Sequence, residues 1–250
     1  MLRSAKELTG YVLKTQDEDV GRCHDFLLDD ATWTIRYMVA DTSKWLPGRK
    51  VLISPIALGD PDWLAHRFPV RLTPEQIEGA PELEEHAPVS RQYERWYHEH
   101  YGWPYYWGGA GLWADATYPG ALFAGGVRQT GEEDGPEIED PHLHSLTEVV
   151  GYRIDARDGE IGKVDDFIID DATWNVRYAV IDTRVWLPGK HVLVPLARLR
   201  GVHWEDRTLA VDLTREKIRD CPEYDPGAPI NQEYEERLYD YVGRPFQPRE

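Results

Sequence analysis

The sequence is written twice. Residues 2–102 align with residues 143–243 at a constant offset of 141 positions, without a gap, and roughly four in ten aligned positions are identical. The strongest block runs Asp29-Asp30-Ala31-Thr32-Trp33-x-x-Arg36-Tyr37-x-Val39-x-Asp41-Thr42-x-x-Trp45-Leu46-Pro47-Gly48. It returns as Asp170-Asp171-Ala172-Thr173-Trp174-x-x-Arg177-Tyr178-x-Val180-x-Asp182-Thr183-x-x-Trp186-Leu187-Pro188-Gly189. Units of about 100 residues are duplicated whole domains, since solenoid repeats run to roughly 20–50 residues. The expected organisation is one domain over 1–102, a connector over 103–142 and a second domain over 143–250.

Within one repeat the signals are those of short strands. Leu8–Leu13 and its counterpart Val149–Ile154 are β-prone, and Arg157-Asp158-Gly159-Glu160 reads as a hairpin turn. Val20–Leu28 follows, opening on Gly21 (Gly162 in the second copy), where glycine suggests a bulge. The Asp-Asp-Ala-Thr turn leads into Trp33, Ile35, Tyr37 and Val39, an alternation with one apolar face. Val51–Ile53 and Phe68–Leu72 complete the set. Five or six strands at this spacing, without βαβ alternation, indicate an antiparallel sandwich or small barrel. Each repeat then turns helical. Thr73-Pro74 reads as N-cap and first helical position, and a second helix runs from Ser90 (Asn231) to Gly102 (Gly243).

The connector is unlike either copy. Trp103, Tyr105, Tyr106 and Trp107 open a stretch that mixes aromatics with Gly, Ala and Pro, and these four are expected to lie across a barrel or a partner chain. Gly131–Asp140 is acidic and is expected to act as a tether.

A formal net charge of −17 opposes nucleic-acid binding, because affinity for a phosphate backbone rests on Lys and Arg. Asp29-Asp30 and Asp170-Asp171 are adjacent and read as turn formers, while Asp41 and Asp182 are expected to bond turn amides or Arg36 and Arg177. His142-x-His144 lacks further ligands at metal spacing, and neither a phosphate-cradling loop nor a nucleophile elbow is present. No catalytic residue, cofactor or metal is therefore expected. Cys23 and Cys221 occupy non-equivalent places in the repeat and are expected to be free thiols. With no signal-peptide pattern and no apolar run of membrane length, the chain is expected to be cytoplasmic and not inserted in a membrane.

The residues that recur in both copies resemble the PRC-barrel family. They are Gly21-x-x-x-Asp25-Phe26, Trp33-x-x-Arg36-Tyr37-x-Val39-x-Asp41-Thr42 and Val51-Leu52-Ile53 before Leu58. The tail Pro88-Val89-Ser90-Arg91-Gln92-Tyr93-Glu94 with Tyr101-Gly102-Trp103-Pro104-Tyr105-Tyr106-Trp107 is similar to stand-alone bacterial members. The family takes its name from the cytoplasmic domain of the photosynthetic reaction-centre H subunit and includes a domain of a ribosome maturation factor. The resemblance implies a mostly β chain of two small PRC-type barrels in tandem, each followed by short helices. It implies a non-enzymatic binding or scaffold protein with a protein partner, for which a stress response is one setting. An RNA- or ribosome-linked role and a reaction-centre assembly role are the alternatives. Duplication further suggests an intramolecular pseudo-dimer of barrels, with homo-oligomers as an extension. The tip loops Trp45-Leu46-Pro47 and Trp186-Leu187-Pro188, with the connector aromatics, form the candidate interaction surface, since Trp is enriched at binding hot spots.

Overall fold

A computed structural model describes residues 1–42, 46, 50–81, 89–124, 142–183 and 190–243. In the first copy the elements are β1 (Leu2–Ser4), α1 (Ala5–Leu8), β2 (Val12–Lys14), β3 (Asp19–Asp29), β4 (Thr34–Asp41), β5 (Lys50–Ile53), β6 (Arg67–Pro69), α2 (Pro74–Glu78) and α3 (Arg91–Tyr101). A short α4 (Gly120–Ala124) lies in the connector. The second copy holds β7 (Leu143–Ser145), α5 (Leu146–Val149), β8 (Arg153–Ala156), β9 (Gly159–Asp170), β10 (Val176–Asp182), β11 (His191–Pro195), β12 (Leu199–His203), β13 (Thr208–Val211), α6 (Arg215–Asp220), β14 (Glu223–Tyr224) and α7 (Gln232–Val242).

The chain is mostly β, in two sheets. One has the order β5-β4-β3-β2-β6, the other β12-β13-β8-β9-β10-β11-β14. The pairings are antiparallel except β2 with β6 and β8 with β13, which are parallel. The barrel closure expected from the sequence is not made by strand pairing in either sheet. After β5 the chain turns through a 3-10 segment, Pro55–Ala57, and meets the β6 region through isolated bridges, Asp62 to Arg67 and Leu58 to Val70. After β11 a second 3-10 segment, Leu196–Arg198, carries the chain into β12. Pro55 starts the first corner, with no amide hydrogen to donate to a ladder, so a turn stands where a strand pair would close the ring.

Most local signals resolve as expected. The hairpin turn at Asp29 is held by the carboxylate, whose Oδ1 accepts from Ala31 N at 3.1 Å and Thr32 N at 3.3 Å. Trp33 and Trp174 leave their turns at φ 54° and 60°. Gly21 and Gly162 lie where β3 and β9 pass the end of the neighbouring strand. A Cβ on Gly21 would sit 2.4 Å from Asp41 O, and one on Gly162 2.2 Å from Asp182 O, so the backbones approach closer than any side chain permits. Thr73 caps α2 in a capping box, Ser90 and Asn231 cap α3 and α7, and left-handed Gly102 and Gly243 end them.

Two expectations are corrected. Leu8–Leu13 is not one strand but the end of α1, a turn at Gly10 (φ 90°) and the start of β2, and Gly151 (φ 94°) makes the same turn before β8. Leu8 and Tyr11 are both buried, with Tyr11 N bonding Leu8 O, so the apolar pair closes a turn instead of facing out along a strand. The alternation in β4 implied one buried face, yet Thr34 to Ala40 are buried throughout. Arg36, on the polar face, lies under connector residues, its guanidinium 3.9 Å from the Tyr106 ring centre.

The described chain divides into two compact units. One comprises Glu7–Thr147 with Asp171–Asn175, the other Met1–Lys6 with Glu148–Asp170 and Val176–Glu250. Each sheet thus carries a strand from the other copy. β1 pairs antiparallel with the end of β9, Leu2 facing Asp170 and Ser4 facing Ile168. β7 pairs in the same way with the end of β3, Leu143 facing Asp29 and Ser145 facing Leu27. The exchange is reciprocal and occupies equivalent positions of the repeat. The first unit also receives Trp174, packed 6.1 Å from the Phe26 ring and 5.9 Å from Phe68.

Candidate functional site

The exchanged strands are fastened by one pair of residues, used twice. Asp25 on β3 accepts from Ser145 Oγ at 2.5 Å, from Thr147 N at 3.1 Å and from Thr147 Oγ1 at 2.6 Å. Its counterpart Asp166 on β9 accepts from Ser4 Oγ and, at 3.1 Å, from Lys6 N. Both aspartates also cap their own chain, accepting from Phe26 N and Phe167 N at 2.7 Å. Burial raises the Asp166 carboxyl above its usual range, opposed by the hydrogen bonds from Ser4, Phe167 and Lys6. Adjacent strand residues put Asp25 and Phe26 on opposite faces, so the aspartate faces the incoming strand while the ring enters the core.

Beneath α3 in the first unit lies a buried carboxylate. Glu94 is fully buried. Its Oε1 accepts from the hydroxyls of Tyr106 at 2.7 Å and Tyr37, on β4, at 3.1 Å. Its Oε2 lies 2.9 Å from both Arg91 Nη1 and His142 Nε2. Burial first, and Glu94 second, push the Tyr37 and Tyr106 phenols well above their ordinary value, so both remain donors near neutrality. The second unit repeats the core of this arrangement, with Tyr178 on β10 donating at 2.6 Å to Glu235 on α7. One strand tyrosine and one helix glutamate therefore dock each terminal helix on its sheet.

His98, one turn along α3, is also fully buried, and burial lowers its imidazole to about 4. It is neutral near pH 7, and Nδ1 donates to Pro104 O at 2.8 Å. Of the two kinds of partner expected for Asp41, turn amides or Arg36, the second is engaged elsewhere: Arg36 binds Asp29 Oδ2 through Nε at 3.1 Å and Nη2 at 2.8 Å, and donates to Leu112 O. Burial raises the Asp29 carboxyl, and the charge and hydrogen bonds of Arg36 together with the hydrogen bonds from Thr32 more than offset this, leaving it lowered. Seven residues of hairpin bring Asp29 and Arg36 together, whereas Asp41 lies at the far end of β4.

The connector aromatics sit inside the first unit. Trp103 and Tyr106 are buried; Trp103 stacks 4.6 Å from Tyr101, and Tyr106 is held by Glu94 and Arg36. Neither is open to a partner, which corrects their place in the candidate surface. Tyr105 and Trp107 are half-buried and stack on one another at 4.7 Å, with Arg91 4.2 Å over Trp107. Trp113, also buried, donates Nε1 to Thr173 O at 2.8 Å. Of the tip-loop residues, Leu46 is half-buried with its amide bonded to Thr42 O at 2.7 Å, while Trp45, Pro47, Trp186, Leu187 and Pro188 lie outside the described residues. Both loops spring from ladders closed at equivalent registers, Asp41 opposite Lys50 and Asp182 opposite His191.

Part of the second copy matches a known domain. Residues 141–218 match the PRC-barrel domain family. No curated protein matches the chain. The PRC-barrel match begins just before β7 and runs to α6, so it includes the strand that leaves its own copy for the sheet of the other. His142 and His144, on that segment, do not converge on one point: His144 Nε2 lies 3.3 Å from Asp30 Oδ2 and His142 faces Glu94. Among the described residues no group of three or more His, Cys, Asp or Glu is arranged to hold a metal ion, and no helix is long and apolar enough to cross a membrane. Cys23 and Cys221 are free and buried, and burial pushes the Cys221 thiol up to about 11.

The sequence reading missed the Ser–Asp fastening. Its one signal was the recurrence of Ser4, Asp25, Ser145 and Asp166 at the common offset, which does not say which serine meets which aspartate.

Proposed function

We propose that this chain is a non-enzymatic cytoplasmic scaffold in which two PRC-barrel units form an intramolecular pseudo-dimer that presents paired tryptophan loops to a protein partner. The first copy counts as a second PRC-barrel on the strength of the repeat. The observation that carries the reading is the equivalence of the two hairpins: β4–β5 and β10–β11 are paired up to the last residue before loops that each hold a Trp-Leu-Pro-Gly sequence. A tryptophan side chain has few rotatable bonds and contributes a large contact area with little ordering entropy, the pattern of an interface anchor. The polar clusters support the same reading, since Glu94, Asp29, Asp25 and Asp166 are each engaged by groups of this chain.

The test is co-purification from the native host with the Trp45→Ala, Trp186→Ala double variant. The expected result is loss of partners retained by the parent chain, with the thermal midpoint unchanged. Retention of every partner sinks the reading.

A further inference from the structure

We propose that the acceptor edge of β9 also takes β1 from a second copy of this chain, so that the protein forms a strand-exchanged dimer through residues 2–6. The inference rests on the strand pairings and is independent of the scaffold reading. Each chain carries two donor segments, Leu2–Lys6 and Leu143–Thr147, and two acceptor edges, Leu27–Asp29 and Ile168–Asp170. Donors and acceptors are equivalent members of the repeat, and each donor is received by an edge far from it in sequence. The contact includes ladder hydrogen bonds, the Ser4 hydroxyl and the Lys6 amide on Asp166, and an ion pair of Lys6 Nζ with Asp165 at 2.8 Å, none of which depends on the donor sharing a chain with the acceptor.

The connection permits the exchange. Chain passes from one unit to the other within the single-turn helices α1 and α5, between Lys6 and Glu7 and between Thr147 and Glu148. Just beyond lie Gly10 and Gly151, at φ 90° and 94°, where an added Cβ meets nothing within 4 Å. The closed form therefore needs a left-handed residue at a sterically open turn, and an extended hinge at Gly10 lets the same strand reach another chain. Closed and exchanged forms share the strand contacts and differ at the turn, where Gly10 N donates to Cys23 O at 2.7 Å and Tyr11 N to Leu8 O at 3.3 Å, so their balance is set by the effective concentration of β1 near its own edge, of about millimolar order for a short link, and by the hinge.

Light and isotopically heavy full-length chains, mixed near millimolar concentration, opened briefly in mild denaturant and returned to buffer, give the readout by native mass spectrometry. One chain carries Leu2→Cys and the other Asp170→Cys, positions that face one another in the ladder. The expected product is a light–heavy dimer joined by a disulfide between the two substituted positions. Gly10→Ala, which penalises the closed turn alone, raises the dimer fraction about five- to tenfold. Chains that stay monomeric throughout, or dimers lacking that disulfide, overturn the proposal. If Gly10→Ala does not fold, the two cysteine-bearing chains decide the matter unaided.

Discussion

Ser145 donates its hydroxyl to Asp25 at 2.5 Å across 120 residues of chain, and Ser4 does the same to Asp166 across 162. The short strands on which these serines lie, three residues each, are too brief to hold a sheet position through ladder bonds alone. The aspartates supply the difference. Each converts a marginal edge pairing into a charge-assisted contact and satisfies backbone amides of both the donor and the acceptor segment.

Removing that carboxylate is correspondingly costly. Asp25→Ala leaves the amides of Phe26 and Thr147 without their acceptor, and about 2–3 kcal/mol of stability is expected to go in urea denaturation. Amide exchange should accelerate in 143–147 before it does in β4. A loss spread evenly over the first unit would contradict the fastening role of Asp25.

Acid acts on the first unit through His98. Its imidazole is lowered to about 4 in the folded chain against 6.5 ordinarily, so between those values the unfolded chain holds the extra proton. Stability from this group is complete above pH 6.5 and is lost as pH falls toward 4. Between pH 7 and pH 5 the expected loss is about 2 kcal/mol. Urea midpoints at the two pH values measure it, and His98→Leu should flatten that part of the profile whatever it does to stability at pH 7.

What could be read from the sequence is what local chemistry decides. The Asp29 turn, the caps at Thr73, Ser90 and Asn231, and the glycine stops at 102 and 243 each depend on residues within a few positions of one another. β3 and β4 are long enough to show their period. Leu2-Arg3-Ser4 has no period to show, and nothing near it names β9 as its partner. Trp103 and Tyr106 looked like surplus apolar surface, because the carboxylate and guanidinium that bury Tyr106 come from α3 and β4. Arg36 had two aspartates within reach in sequence, and only the path of the hairpin chooses between them.

Two glycines with left-handed backbones should respond differently to the same methyl group. At Gly151 an added Cβ meets nothing, so Gly151→Ala is expected to cost only the conformational penalty, about 1 kcal/mol. At Gly162 the Cβ would lie 2.2 Å from Asp182 O, a backbone atom fixed in the β9–β10 ladder, and Gly162→Ala should cost more than about 3 kcal/mol. Thermal or urea unfolding of the pair tests this, and equal losses would show that the bulge yields to a side chain.

The reciprocal exchange also predicts how a cut chain behaves. A protease site engineered into residues 125–141 separates the first copy from the second, yet β1 remains part of the sheet built on β9 and β7 part of the sheet built on β3. Each fragment then lends a strand to the other, and each lent strand carries its own serine fastening. The fragments are expected to co-elute in size-exclusion chromatography after complete cleavage and to part only under denaturant. Adding Asp25→Ala and Asp166→Ala together should lower the denaturant concentration at which they separate, since both fastenings are then gone. Fragments that separate in plain buffer would mean that the strands stay in place only because the chain is continuous, and the exchange would then be a consequence of the connector instead of a bond between the copies.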